Sequence, residues 1–461
     1  MSQTSPTPKL PTAEPSSAPS SGLSFEQVAP IFTLTFVDVL GLSVILPLLH
    51  LYAAAYGASP LEIGLVAAAF PLAQLIGVPV MGALSDRFGR KPLLLISQVT
   101  TFISFILLGF ANSLGMIIAS RVLDGIFGAN LATAQAALSD ITTEENRARG
   151  LGITGAAFGL GFIFGPLVSI LTLELTDSLA VPALSAAGYS FISILLTLFM
   201  FKETHPPEKR RQLDRQSALS PVLIGRVLRV EGMAILLILI FMEQVVFFGF
   251  ETLMGVFTLS KLGFLGQANA LLFLYIGILL VYVQVRLIGK WTRQYGEAHV
   301  VKRALAFLSL GLFLVALTPE MPHPFYVQRN TAFDLREQIS SSTEAIIGTI
   351  NVPLPRDGNN GVGGILWFLL AITPLTLGAG LIRPCLNSLM TKRVSPREYG
   401  TVLGVSAAFV SAANAGAPIL GGLLMQQWGT SLPFLAGAGV MSLLFVWAWF
   451  AVQPAPTPDA P

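Results

Sequence analysis

The chain has 461 residues, of which 53% are hydrophobic and 11% charged, and its formal net charge is +2. Soluble globular chains carry about a quarter charged residues, so an ordinary soluble enzyme is excluded. With no long basic or acidic block, a nucleic-acid-binding or disordered protein is excluded too. A membrane-spanning helix needs about 20 mostly apolar residues, and this composition can supply a dozen of them. The single cysteine, Cys385, sits in an apolar run, so no disulfide can form within the chain and no zinc site can be built from cysteine.

In chain order, residues 1–27 are rich in Ser, Pro and Thr and are expected to form a disordered cytoplasmic tail. They lack the basic start and short apolar core of a cleaved signal. Apolar runs follow at roughly 28–50, 60–82, 92–112, 115–138, 149–173 and 181–201, which define a first bundle at 28–201. A cytoplasmic linker at 202–231 contains the most basic stretch of the chain, KETHPPEKRRQLDRQ (202–216). A second set of runs at roughly 232–256, 267–289, 302–319, 363–386, 399–424 and 431–452 defines a second bundle at 232–452. It is interrupted by a long polar loop at 319–362, and a short tail, 453–461, ends the chain. That loop carries Glu320, Asp334, Glu337, Glu344 and Asp357, and it could dock a partner or be a plain insertion.

Lys and Arg collect in alternate loops. One side has only Lys261, Arg329, Arg336 and Arg356, and nearly all the rest fall on the other, which is therefore expected to be cytoplasmic with both termini. The halves repeat. GALSDRFGRK (82–91) is echoed by GKWTRQYGE (289–297), and GLGITGAAFGLGFIFGP (150–166) by VLGVSAAFVSAANAGAP (402–418). The long loop accounts for the difference between the two offsets. The expected fold is an all-α membrane protein of twelve transmembrane helices in two six-helix pseudo-symmetric bundles. Two parallel repeats around a midplane site are a transporter architecture.

Three motifs and a first-span pattern then point to a family. Gly82, Asp86, Arg87, Gly89, Arg90 and Lys91 occupy the loop between spans two and three, where glycines permit tight turns and close approach. Arg121 and Asp124 stand three apart in span four, where a charge costs about 2.5–3.5 kcal/mol and a partner on the same face offsets part of it. Gly152, Gly161, Gly165 and Pro166 in span five set small residues at helix-packing spacing. In span one, Asp38 precedes Gly41 and Pro47. With these motifs the chain resembles the major facilitator superfamily, and within it the twelve-span drug:proton antiporters that include multidrug and tetracycline-efflux pumps.

The resemblance implies a gate on the cytoplasmic face. Asp86 would face the N-terminus of span eleven near Ser395, Pro396, Arg397 and Glu398, and Arg90 would meet Asp140. It also implies a role for Arg121 in proton coupling, with plain ion pairing as the alternative, and it leaves the role of Asp124 open. The span-five pattern departs from the family where Ser169 and Ile170 replace two glycines. Tetracycline-efflux relatives carry a histidine in span eight and an acid in span nine. Here those apolar stretches offer Gln284 and no acid, which puts tetracycline itself in doubt.

Asp38 is the first candidate for proton coupling, because a carboxylate stranded among apolar side chains gains by taking up either a proton or a cation. In span seven, Glu243, Phe247, Phe250 and Glu251 share one face, beside Gln244, an arrangement suited to a bulky lipophilic cation. Arg383 and Asn387 in span ten, Gln135 in span four and Asn414 in span eleven complete the candidate cavity. The expected activity is export of a small organic, amphiphilic compound in exchange for protons by alternating access. A metabolite symporter or facilitator, and a non-transporting receptor or scaffold, are the alternatives. No cofactor or metal is expected: no phosphate-binding loop or metal-ligand spacing is present, and no nucleophile–base set suggests an enzyme. The expected partners are the small organic substrate, protons and the lipid bilayer, with no nucleic acid, and the chain is expected to be monomeric.

Overall fold

The computed structural model describes residues 25–142, 147–176, 178–207, 221–337, 351–395 and 398–452. Nearly all of the two expected tails, the centre of the basic linker, 338–350 of the long loop, and Pro396 and Arg397 lie outside the described residues. The described residues are almost entirely helical, with no strand among them, and twelve helices are long and apolar enough to cross a bilayer.

Span one is Phe25–Ile45 continued by Leu49–Ala55, span two Pro60–Phe88, span three Arg90–Gly109, and span four Leu114–Phe127 continued by Asn130–Ile141. Span five is Arg147–Thr176 and span six Ala180–Phe199. After a short helix at Pro221–Leu228, span seven is Met233–Leu262. Span eight runs Gly266–Tyr282 through a widened turn at Val283–Leu287 to Ile288–Tyr295, and span nine is Glu297–Ala316. Spans ten, eleven and twelve are Gly363–Thr391, Tyr399–Trp428 and Leu432–Ala451. Span nine starts well before the expected position 302, because Glu297 itself opens the helix after Gly296.

Local chemistry sets these ends. Pro47, which has no backbone N–H, sits in the turn that interrupts span one. Ser59 and Glu62 form a reciprocal capping box at the start of span two, with Pro60 at its first position. Span four breaks at Gly128 and Ala129. Unpaired backbone groups are costly in a bilayer unless other groups satisfy them. Here Gln74 donates to the Gly128 carbonyl (3.1 Å), Ser97 donates to Phe127 O (2.5 Å), and the Ala129 amide donates to Ser97 Oγ (3.0 Å).

The six helices of each half pack mainly on one another, and the halves meet along spans two and eleven and spans five and eight. The close contacts that join them gather toward the end carrying the long loop. A Cβ on Gly64 would strike the Pro418 carbonyl, and one on Gly422 would lie 2.6 Å from Pro60 O. Gly266 abuts Leu48, Leu51 and Leu173, and the Leu61 amide donates to Gln426 (3.3 Å). His50, buried at this seam, lies against Gly255 and 3.5 Å from Asn269, whose Oδ1 accepts from Thr258 (2.6 Å).

The long loop reinforces the seam. Its helix Gln328–Glu337 packs on Leu49–Ala55, and Asn351 donates to Gly57 O (2.6 Å). Tyr326 rests on Gly263 (φ 67°), where a side chain would collide with its ring. The Tyr326 hydroxyl, pushed up to about 12 by burial, stays protonated and donates to Pro355 O (2.8 Å).

Candidate functional site

Span three organises the polar interior of the first half. Its face at Gln98, Thr101 and Ser104 reaches Asp38, Asp124 and Arg121. Gln98 donates to Ser193 Oγ (2.9 Å), which donates to Asp38 Oδ1 (2.6 Å). Thr101 donates to Asp124 Oδ1 (2.7 Å). Arg121 donates to Ser104 (3.2 Å), lies 3.7 Å from Asp124, and stacks near the Phe105 ring. Arg121 and Asp124 are each only 3% exposed. They form a buried ion pair inside the first half, held on both sides by span three. Gln135, on the segment after the break, is exposed.

The second half has a sparser cluster. Glu243 is 2% exposed and its Oε2 is buried without a partner. Arg383, half-buried in span ten, acts electrostatically on both Glu243 and the half-buried Glu251. Gln244 donates to Asn414 Oδ1 (2.5 Å), tying span seven to span eleven, and its own Oε1 is buried without a partner. Asn387 Oδ1 is buried and unpartnered as well. The aromatic stripe only partly faces this cluster. Phe247 is half-buried, but Phe250 is buried against Phe434 of span twelve (6.0 Å between centroids) and belongs to the core.

The 82–91 motif builds a compact charged knot at the basic end of the first half. Arg90, 1% exposed, donates to Asp140 Oδ2 (2.9 Å) and Ser85 Oγ (2.6 Å) and pairs with Asp86 (2.7 Å). Glu203, just past span six, accepts from the Arg90 amide (2.8 Å) and the Lys91 amide (3.1 Å). A carboxylate there answers the positive end of the span-three dipole. Lys91 Nζ donates to Leu198 O (2.9 Å), and His205 stands 3.9 Å from Asp140. Arg87 is exposed over the Phe88 ring. Gly89 (φ 106°) makes the turn. Gly82 makes neither a turn nor a close approach: it lies within the span-two helix, and a Cβ there would meet nothing. Just before span eleven, Glu398 accepts from the Ser395 amide (3.3 Å) and hydroxyl (2.8 Å).

The span-five glycines pack on span one. A Cβ on Gly161 would lie 2.7 Å from Val39, and one on Gly165 would overlap Ser43. Ser43 donates to Gly161 O (2.7 Å), and Ser169, standing where the family pattern has glycine, donates to Val44 O (2.6 Å). Pro166 is buried in the same seam, whereas the side-chain surroundings at Gly152 lie outside the described residues.

Sequence reasoning missed Gln98, Ser193, Glu203, His205 and the pair Glu297–Lys392 (2.5 Å). The polar face of span three was visible at helical spacing; Ser193 depends on which helix faces meet, and the others on where helices end.

The sequence profile of the Major Facilitator Superfamily matches residues 31–327 and 357–461, and skips part of the long loop. The chain is 24% identical to tetracycline resistance protein, class H, of Pasteurella multocida, over 91% of this chain and 95% of the relative. It is 25% identical to multidrug resistance protein 2 of Bacillus subtilis (strain 168), over 89% and 92%. Among solved structures, the human organic anion transporter MFSD10 aligns with a TM-score of 0.63 at 21% identity, covering 92% of this chain and 99% of that one. The nucleoside transporter NupG aligns with a TM-score of 0.68 at 14% identity, covering 93% and 99%. At these identities the structural matches speak for the fold alone.

Proposed function

Because the chain belongs to the Major Facilitator Superfamily, and so is an integral, multi-pass membrane transporter rather than an enzyme, we propose that it exports a small organic, amphiphilic compound in exchange for protons. The observation that carries this reading is Glu243, a carboxylate sealed between helices with one oxygen unpartnered and Arg383 nearby. A buried carboxylate in that condition gains by binding a proton or a cationic group of the substrate, and competition between the two couples their movements in opposite directions. Asp38, held by Ser193 in the other half, is the second carrier. Relatives named for tetracycline and multidrug resistance support export of an organic compound.

The two six-span halves, 28–201 and 232–452, rock about the cavity, joined through the linker at 202–231. The basic side is cytoplasmic, both termini lie there, and the chain works as a monomer. The seam at the long-loop end makes this the state closed to the outside. The knot of Asp86, Arg90 and Asp140 is then poised to engage span eleven when the cytoplasmic side closes.

The test is flux of ethidium, a lipophilic cation, in proteoliposomes under an imposed proton gradient. Gradient-driven accumulation is expected in the unaltered protein. It should fall at least tenfold in Glu243→Gln and in Asp38→Asn, while exchange without a gradient persists. Ethidium flux indifferent to the gradient in the unaltered protein, or a pH profile in both variants unchanged from that of the unaltered protein, would overturn the proposal.

A further inference from the structure

Spans nine and twelve enclose an open groove of about 590 Å³ on the outer flank of the second half, away from the seam between halves. Ala306, Leu310 and Phe313 form one wall, and Leu435, Gly439 and Phe445 the other. The volume falls within the roughly 300–1,000 Å³ that holds one small-molecule ligand. Ser309 and Ser442 lie in the groove, but they satisfy each other (2.6 Å), and Ser309 donates onward to Ala438 O (3.1 Å). The groove therefore offers an apolar occupant no unmet hydrogen bond.

One helical turn beyond Ala306 and Phe445, toward the basic side, the mouth changes character. Lys302 donates to Trp449 O (3.2 Å) and lies over the Trp449 ring (5.3 Å), which in turn packs on Phe445 (6.0 Å). An ammonium has three donors, so two remain for a ligand. The neighbouring Arg303 is exposed over the Tyr295 ring (3.5 Å) on the side of span eight, so Lys302 is the charge that meets the groove. From Lys302 to Phe313 the helix rises about 16 Å at ~1.5 Å per residue. One leaflet of hydrocarbon is about 15 Å deep. Charge at the mouth, an apolar trough and a length of one leaflet match the three parts of a lipid.

We infer that this groove is a binding site for an anionic phospholipid of the leaflet on the basic side, with its phosphate on Lys302 and an acyl chain lying between spans nine and twelve. Gly439 makes the inference testable, because a Cβ there meets nothing within 4 Å. A leucine at that position fills the trough without deforming the protein.

The experiment is native mass spectrometry of the purified full chain, equilibrated with equal phosphatidylglycerol and phosphatidylcholine. The unaltered protein should retain one phosphatidylglycerol with a preference of about fivefold, the effect of one basic side chain at an anionic surface. Lys302→Ala should abolish the preference, and Lys302→Arg should keep it. Gly439→Leu should lose the retained lipid, and added phosphatidylglycerol should raise the melting temperature of the unaltered protein but not of Gly439→Leu. Equal retention of the two lipids by the unaltered protein would overturn the inference, as would retention unchanged in Gly439→Leu. A dimer that Gly439→Leu dissociates would overturn it too, by showing that a second copy fills the groove.

Discussion

Arg90 and Glu297 occupy equivalent positions in the two halves: each is the first residue of its helix after a glycine with positive φ, Gly89 (106°) or Gly296 (75°). Their charges are opposite, and each finds its counter-charge near the end of the next span in its own half, Asp140 for Arg90 and Lys392 for Glu297. The surroundings differ sharply. The Arg90 side chain is 2% exposed against 21% for Glu297, and Asp140 17% against 50% for Lys392. The helix dipole explains part of the asymmetry. Glu297 suits a helix N-terminus by itself, while Arg90 and Lys91 do not, so the first half brings in Glu203 to accept their amides. One half has built a rigid internal knot from the repeated loop, and the other has left an exposed ion pair.

The contrast breaks most visibly at Arg90. Arg90→Ala leaves Asp140 and Asp86 without their shared guanidinium, and removing one partner of a buried pair costs about 3–5 kcal/mol. Thermal melting in detergent should show a collapse of the first half or a large drop in midpoint. Arg90→Lys should fall between, since a point charge cannot serve Asp140, Asp86 and Ser85 in a fixed fork. If Arg90→Ala melts within a degree of the unaltered protein, burial does not govern the difference between the two loops.

How far this contrast could be read from the sequence differs by residue. The Arg90–Asp140 pair was expected from the family resemblance, and Gly89 was legible because few residues other than glycine turn there. Glu203 was not legible: it lies in a stretch whose basic charges dominate, and its role depends on where span six ends. Gly82 misled for a related reason, since the helix of span two runs on past it to Phe88. The spacing of Arg121 and Asp124 was plain, but their enclosure by Ser104 and Thr101 depends on which faces of neighbouring spans meet. Uniformly apolar helices do not encode that in any period. The twelve spans and the two halves were legible for the opposite reason, because bilayer thickness fixes segment length.

The next largest effect lies at the seam. Gly422→Val would push a side chain into Pro60 and Leu61, and overpacking costs about 1–3 kcal/mol. That strain falls on the state joined at the long-loop end, so accessibility should shift toward that side by about fivefold or more. Labelling of a cysteine placed at Ala55, partly exposed at the end of its helix, reads it, since the native Cys385 is buried. Unchanged labelling would mean that the glycine contacts do not set the balance. Glu203→Ala comes third, with about 1 kcal/mol lost for a helix cap, read as earlier hydrogen exchange at the start of span three.

The smallest effect sharpens the comparison most, because it concerns the exposed member. Glu297 binds Lys392 (2.5 Å) and Ser388 (3.0 Å), yet water reaches the pair, and exposed pairs contribute only about 0–1 kcal/mol. Glu297→Gln should therefore shift the melting midpoint by a degree or two at most, and that shift should vanish in high salt, which screens exposed charges. Exchanging the two residues, Glu297→Lys with Lys392→Glu, restores the attraction but puts a positive charge at the helix start, so recovery should be partial. The same exchange between Arg90 and Asp140 should recover nothing, because the acid placed at position 90 would face Asp86 one turn back along the chain. Full recovery in the first half would show that the knot is an ordinary ion pair after all, and the two loops would differ in sign alone.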